Sequence, residues 1–258
     1  MIRRYLQGFV IVSLTILALT SCNKEIDTKK VINVTFHGYN ISDMRLEVTV
    51  DTVVFDKKIQ QANSRINFSM VYPYFSGKKE AVLHVKDLVS GKEILQKTLL
   101  LSGGQLEFHF NLLNIKGSLV DVTPPAADTG TNKLGFYIYY PESNDPIDII
   151  LYNPNTGQLV YLAQNVIPRT WVYTDYLPTD GFLKKNEVES SIIYFTKAGT
   201  TDQWAFNNDE YLSQTSAFSW YIPYVGYNLN KVQPYFILPS PQGWQAEVVT
   251  LFPIPKEY

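Results

Sequence analysis

Aromatic rings and polar side chains are concentrated towards the C-terminal end of the chain. All four tryptophans and most of the 18 tyrosines follow residue 135. Flat rings cover the apolar C–H face of a sugar, while neighbouring amides and carboxylates bind its hydroxyl groups. The pattern therefore predicts a carbohydrate-binding surface, with the following candidate residues: Trp204, Asn207, Asp209, Trp220, Tyr221, Tyr224, Tyr227 and Trp244.

The same rings also suit a hydrophobic core, because aromatic residues are favoured in strands and fill β-sandwiches. Only about half of the side chains of a strand point inward, so part of the cluster should be exposed. Tyr221, Tyr224 and Tyr227 alternate with Pro223 and Gly226 and are expected in an exposed loop. The two interpretations differ in one observable: whether three or more of the rings share one exposed surface.

The single cysteine follows an apolar N-terminal segment. Two arginines precede an uncharged stretch over 9–20, which is too short to span a bilayer and is typical of an export signal. Leu19-Thr20-Ser21-Cys22 resembles the lipobox of bacterial lipoproteins, in which the cysteine receives diacylglycerol. This resemblance implies lipidation of Cys22, with a signal peptide over 1–21 and a tether over 22–30.

Residues suited to catalysis are sparse. The three histidines, His37, His84 and His109, are far apart, so no pair has the spacing of a metal site. Glycoside hydrolysis needs only two carboxylates across a sugar, and it is the one enzymatic alternative left open, with these candidates: Glu187 and Glu189 on a predicted strand, and Asp202, Asp209 and Glu210 near Trp204. The sequence otherwise predicts a protein that is not an enzyme and that has no metal and no cofactor.

Two further functional classes are excluded. With 22 basic and 24 acidic residues, the net charge of -2 provides no positive field for nucleic acid. The segment Leu101-Ser-Gly-Gly-Gln105 reproduces the signature pentapeptide of ABC-transporter ATPases, but no phosphate-binding loop accompanies it. We interpret this segment as a hairpin turn.

Apolar residues alternate through most of 31–110, which indicates half-buried strands. Short glycine-containing segments separate runs of six to nine residues, and no sustained helical period is present. The pattern predicts a small antiparallel sandwich, immunoglobulin-like or transthyretin-like, over 31–121.

Prolines and small polar residues over 122–132 predict a linker. The remainder, 133–258, is also strand-rich; its predicted strands include 147–152, 158–163, 188–196, 218–221 and 234–238. No internal repeat of fixed period is present. The sequence therefore predicts an all-β protein with two β-sandwich-like domains, the second rich in aromatic residues, joined by a Pro-rich linker.

The lipobox and this architecture resemble the two-domain surface lipoproteins of gut Bacteroidota, without identifying a single family. Asn23-Lys-Glu-Ile-Asp27 is similar to the short export tag that sends such lipoproteins to the cell surface. The resemblance implies a non-catalytic, lipid-anchored protein of the outer membrane, exposed at the surface. Its first domain would be a spacer and its second would bind a polysaccharide, beside outer-membrane proteins that take up glycans.

The alternative is a structural or adhesive lipoprotein, such as a fimbrial anchor or an assembly subunit. Such a component would bind protein partners by strand addition and no small ligand. It has the same N-terminus as a glycan-binding protein, so the lipobox does not separate the two functions. An unpaired strand edge in the first domain would favour the assembly role.

Overall fold

The computed structural model describes residues 28–227 and 229–252 of the 258-residue chain. The predicted signal peptide, Cys22 and the first part of the tether lie outside the described residues. Four sheets of four strands each make up the described structure. The predicted fold class, all-β with two β-sandwich-like domains, is confirmed.

The N-terminal sandwich is built from eight strands. They are β1 (Lys29–Ile41), β2 (Leu46–Val50), β3 (Val53–Val54), β4 (Ser64–Phe75), β5 (Glu80–Asp87), β6 (Glu93–Leu100), β7 (Glu107–Ile115) and β8 (Ser118–Val120). One sheet has the strand order β4-β1-β7-β8 and the other β3-β2-β5-β6. The predicted turn at 101–105 lies between β6 and β7, as expected from its glycines.

The C-terminal sandwich also has eight strands. They are β9 (Asn132–Ile138), β10 (Ile147–Asn153), β11 (Gln158–Val166), β12 (Trp171–Tyr176), β13 (Ile192–Lys197), β14 (Gln214–Ser216), β15 (Val232–Leu238) and β16 (Glu247–Thr250). A short helix, α1 (Lys185–Glu189), precedes β13, and a 3-10 turn (Ala217–Trp220) follows β14. The sheets have the orders β12-β9-β15-β16 and β11-β10-β13-β14.

The two sandwiches follow the same chain path. In each, the first strand pairs antiparallel with the fourth and parallel with the seventh. In each, the second strand pairs antiparallel with the third and the fifth, and the sixth and eighth strands form the remaining edges. The two domains are therefore topologically equivalent, although the sequence has no repeat of fixed period.

Alternation explains the two internal cores. In β1, Ile32, Val34 and Phe36 point into the first sandwich, where they pack with inward residues of β2 and β5. In the second sandwich, Ile149 of β10 and Phe195 of β13 lie opposite each other and are fully buried. Burying these side chains is the main favourable term in the stability of each sandwich.

A third apolar core joins the two sandwiches. The outer face of the β1–β7 sheet packs on the outer face of the β9–β15 sheet, and the buried residues between them are Tyr39, Leu113, Tyr137, Phe236, Leu238, Val249 and Leu251. Burial and the carboxylate of Glu247, to which the Tyr39 hydroxyl is hydrogen-bonded, raise the pKa of Tyr39 far above its usual value. The Trp171 indole also donates to the backbone carbonyl of Asp121, at 2.9 Å. The sandwiches therefore pack directly on each other.

One predicted strand is correct only in its second half, and another is wrong. The segment predicted as a strand over 188–196 begins inside α1, and only its second half is strand β13. Lysines and glutamates around the single buried Val188 favour one helical turn there. The segment 218–221 is mostly the 3-10 turn, in which the Ser216 hydroxyl accepts a hydrogen bond from the Phe218 amide, at 3.3 Å.

The turn between β2 and β3 is held by a polar cluster. The Asp51 carboxylate accepts hydrogen bonds from the Tyr72 hydroxyl and Lys78 Nζ, both at 2.5 Å, and from the Val82 amide at 2.9 Å. Partial burial raises the pKa of Asp51, but these hydrogen bonds and the Lys78 charge together lower it. The folded state therefore favours the ionised carboxylate.

We expect Asp51→Asn to lower the free energy of unfolding by about 1–2 kcal/mol at pH 7. Because the folded pKa of Asp51 lies below the unfolded pKa, its contribution is complete above the unfolded value and is lost as the pH falls through the folded one. The difference between wild type and variant should therefore shrink below about pH 4. Urea unfolding at pH 7 and pH 3 measures this difference in the free energy of unfolding, with Asp43→Asn, at an exposed position, as the control. An equal difference at both pH values would contradict the prediction.

Candidate functional site

Three of the predicted ring residues come together at one end of the C-terminal sandwich. Tyr221, Tyr224 and Tyr227 are each half-buried and line one open pocket beside α1. The centroids of the Tyr224 and Tyr227 rings are 5.2 Å apart, and their planes are inclined by 43°. We call this site the tyrosine pocket; its other lining residues are Lys185, Val188, Glu189, Ala217, Phe218 and Ile222.

The loop that carries the tyrosines is anchored to the core. The Tyr235 hydroxyl donates to the Trp220 carbonyl at 2.6 Å, and the Gln233 side chain donates to the Tyr221 carbonyl at 2.8 Å. Tyr221 itself has a left-handed backbone, with φ of 52°, which turns the chain out of the preceding 3-10 turn. These contacts fix the start of the loop and hence the orientation of the first ring.

The pocket combines apolar and charged surface. Phe218, which is 66% exposed, extends its aromatic wall. Lys185 and Glu189 lie one turn apart on α1 and form an ion pair at 3.7 Å. The volume of about 110 Å³ is below that of enclosed small-molecule pockets, which begin near 300 Å³. The pocket is therefore too small to enclose a typical small molecule.

The prediction that Trp220 belongs to the binding surface is wrong. It is 0% exposed and packs among Phe136, Phe195 and Tyr235. Its position on the 3-10 turn directs the indole into the core, one residue before the chain turns outward. It cannot contact a ligand at the surface.

The other two predicted tryptophans lie outside the tyrosine pocket. Trp244 is 64% exposed, in the loop between β15 and β16. Trp204 is half-buried and forms an isolated bridge with Thr196 at the end of β13. Neither ring lines the tyrosine pocket.

Trp204 belongs to a row of rings that the sequence analysis missed. On the outer face of the β10–β13 sheet, Tyr152 stacks on Tyr194 at 5.3 Å, and Tyr194 meets Trp204 edge-on at 5.3 Å. Burial, the neighbouring Tyr152 and the carboxylate of Glu210 raise the pKa of Tyr194. Strand alternation could have predicted this row. Leu151 and Ile193 point into the core, so the next residues, Tyr152 and Tyr194, point outward. Tyr152, Tyr194 and Trp204 are half-buried, as are the three rings of the tyrosine pocket.

Asn207 and Asp209 both form hydrogen bonds within the protein. The Asn207 side-chain oxygen accepts a hydrogen bond from the Tyr140 hydroxyl at 3.0 Å, and the Asn207 backbone N–H donates to the same hydroxyl at 3.1 Å. The Asp209 carboxylate accepts from the Leu212 amide at 3.0 Å. The structure therefore does not bring these two residues to the tyrosine pocket.

Asn207 instead lines a cleft between the two sandwiches. This cleft has a volume of about 410 Å³ and is lined by residues of both domains, including Tyr39, Ile41 and Asn63 of the first and Tyr139, Glu142 and Leu238 of the second. Its size is that of a small-molecule site. However, Tyr39 and Tyr140 are almost fully buried, so few ring faces are open in it.

The carboxylates considered for hydrolysis are placed differently from the prediction. Glu187 and Glu189 lie on α1 and not on a strand. The Glu187 carboxylate accepts a hydrogen bond from the Lys184 amide at 3.3 Å, which satisfies the start of the helix. Among residues 28–227 and 229–252, no group of three or more His, Cys, Asp or Glu side chains is arranged to hold a metal ion.

The chain has only distant similarity to known proteins. No family model and no curated protein matches the chain. Among solved structures, the TIE protein of Bacillus anthracis is 9% identical with a TM-score of 0.19, over 82% of this chain and 34% of that one. A mutant of the shaft pilin spaA from Lactobacillus rhamnosus GG is 9% identical with a TM-score of 0.17, over 83% of this chain and 99% of that one.

This chain thus spans about a third of the length of the TIE protein. At these TM-scores the two similarities have no bearing on function. In the part of the chain that the structure covers, no helix has the length and apolar character needed to cross a bilayer.

Proposed function

We propose that this protein is a lipid-anchored, non-catalytic protein of the outer membrane that binds a polysaccharide at the cell surface. The N-terminal sandwich acts as the spacer, and the C-terminal sandwich carries the binding site. The observation that supports this proposal is the tyrosine pocket, where the half-buried Tyr221, Tyr224 and Tyr227 line one open site.

The geometry suits a sugar chain for three reasons. The inclined rings of Tyr224 and Tyr227 offer apolar faces to the C–H side of a pyranose. The Lys185–Glu189 ion pair offers a donor and an acceptor at the same rim. The pocket also lies near the start of β15, whereas the contact with the N-terminal sandwich lies near its end, so the spacer leaves it open.

We expect Tyr224→Ala to abolish or strongly reduce retention of the protein by its glycan. Losing one stacked ring should weaken binding about tenfold, which corresponds to about 1.4 kcal/mol. Native affinity electrophoresis of residues 23–258, through gels that contain different plant and host glycans, measures the effect. Circular dichroism establishes that the variant is folded.

The matched control is Trp244→Ala, which removes an exposed ring outside the pocket. It should migrate like the wild type in every gel. If the wild type is retained and Tyr224→Ala is retained equally, the tyrosine pocket is not the site. If no glycan retards the wild type, the proposed function is wrong.

One observation favours the structural or adhesive alternative. β4 is a twelve-residue edge strand, and among the described residues it pairs only with β1. Such an edge can accept a strand from a protein partner. Pro73 near its end interrupts the row of backbone donors, which limits pairing there. Unchanged mobility in every gel, with partner proteins recovered from outer membranes, would support this alternative.

A further inference from the structure

One end of the N-terminal sandwich is the point at which the described chain begins. Three backbone hydrogen bonds close this end: from the Ser76 amide to Thr28, from the Leu101 amide to Lys79, and from the Asn33 amide to Leu106, at 2.9, 2.7 and 2.8 Å. It includes the start of β1, the ends of β4 and β6, and the turn between β2 and β3. We call it the entry pole.

Exposed apolar side chains are concentrated at the entry pole. Nine large hydrophobic side chains of the N-terminal sandwich are exposed, and seven of them lie at this pole: Val31, Val53, Val54, Val71, Phe75, Leu100 and Leu106. They come from several strands, so no single strand pattern accounts for them. Val31 and Val71 project from the outer face of the β1–β4 sheet and Leu100 projects from the outer face of the β5–β6 sheet, so the exposed apolar side chains surround the entry pole. Exposed apolar side chains concentrated in this way are typical of an interaction surface.

Positively charged side chains outnumber negatively charged ones at the entry pole. Five lysines lie at this pole: Lys29, Lys30, Lys78, Lys79 and Lys97. Among residues 28–227 and 229–252, the carboxylates at the same level are Asp51, Glu80 and Glu107, which leaves an excess of two positive charges in this part of the chain. The whole chain, by contrast, carries a net charge of -2.

We propose that the entry pole rests on an anionic lipid bilayer, with its apolar side chains in the interfacial region and its lysines beside the headgroups. This combination of apolar and basic side chains is the one that binds membrane surfaces. The inference rests on the lipid anchoring in the proposed function. Thr28 follows Cys22 by only six positions, and at about 3.5 Å per residue the anchor lies within about 20 Å of the pole.

The position of the second sandwich agrees with this orientation. It packs on the opposite end of β1 and β7, through Tyr39 and Leu113. The entry pole is therefore left uncovered by the rest of the described chain. Contact of the entry pole with a bilayer would orient the molecule relative to the membrane.

The test uses a chain whose tether does not depend on natural lipidation. A hexahistidine tag replaces residues 1–22. It holds the protein on vesicles of phosphatidylethanolamine, phosphatidylglycerol and nickel-chelating lipid. Because Cys22 is then absent, a single introduced cysteine carries an environment-sensitive dye. Leu106→Cys places the dye at the entry pole, and Val89→Cys, at a side chain that is 79% exposed near the other pole, is the matched control.

We expect the dye at position 106 to shift to shorter wavelength and to be quenched at least twofold by nitroxide-labelled lipid. The dye at position 89 should be unaffected, and Lys29→Glu with Lys30→Glu should weaken the response at position 106. Equal responses at both positions, or none at 106, would overturn the proposal. A response at 106 that requires added outer-membrane protein would also overturn it, in favour of a protein partner. Mass spectrometry of the protein from cells tests lipidation of Cys22 separately.

Discussion

Alanine at position 38 is expected to lower the free energy of unfolding by about 3 kcal/mol or more. Gly38 lies in the middle of β1, paired with Ile66 of β4 on one side and Leu112 of β7 on the other. A Cβ atom at this position would stand 2.0 Å from the carbonyl oxygen of Leu112 and 2.6 Å from its carbonyl carbon. Because the obstacle is backbone, no change of side-chain rotamer relieves it.

Thermal and urea unfolding measure this effect, with Gly77→Ala as the matched control. A Cβ at Gly77 meets no atom within 4 Å, so that variant should stay within about 0.5 kcal/mol of the wild type. If Gly38→Ala were as stable as Gly77→Ala, the parallel pairing of β1 with β7 would be wrong. The prediction therefore tests the topology of the first sandwich as well as one residue.

The sequence was most informative where one face of a strand is buried and the other exposed. Residues 80–87 alternate in burial through the whole of β5, and the strand was predictable from that pattern. The turn over 101–105 was predictable because glycines separate two alternating segments. In such places the local pattern and the final environment agree, so no knowledge of the tertiary structure is needed.

The contact between the sandwiches was not predicted, because it depends on which outer faces meet. Tyr39 lies on the outer face of β1, where alternation alone leads one to expect exposure, but it is covered by the second sandwich. A signal was nevertheless present. Residues 234–238, Pro-Tyr-Phe-Ile-Leu, are an uninterrupted apolar run, which is typical of a strand covered on both faces, and all five are buried.

The residues of the candidate site were harder still to predict, because rings adjacent in the sequence have opposite environments. Trp220 is buried and Tyr221 lines the tyrosine pocket, although the two are adjacent in the sequence. The difference arises from the end of the 3-10 turn, where Tyr221 adopts a left-handed backbone. Composition predicted a cluster of rings, but only the backbone path determines which of them reach the surface.

Trp220→Ala is expected to lower the free energy of unfolding by about 4 kcal/mol, because it leaves a large cavity in the core of the second sandwich. The indole lies 4.8 Å from the Tyr235 ring and 6.3 Å from each of the Phe136 and Phe195 rings. Trp220→Phe should cost much less, since it keeps most of the ring. It also removes an indole N–H that is buried without a hydrogen-bond partner among the described residues.

Urea unfolding of Trp220→Ala, Trp220→Phe and Trp244→Ala separates a core role from a surface role. The exposed Trp244 should be replaceable at a cost of less than about 0.5 kcal/mol. We therefore expect Trp220→Ala to be the least stable of the three variants, Trp220→Phe to be intermediate, and Trp244→Ala to be the most stable. A Trp220→Ala protein as stable as Trp244→Ala would contradict the buried position of the indole. Loss of glycan retention in Trp220→Ala alone would report unfolding of the domain, whereas loss in a stably folded Tyr224→Ala would report the tyrosine pocket itself.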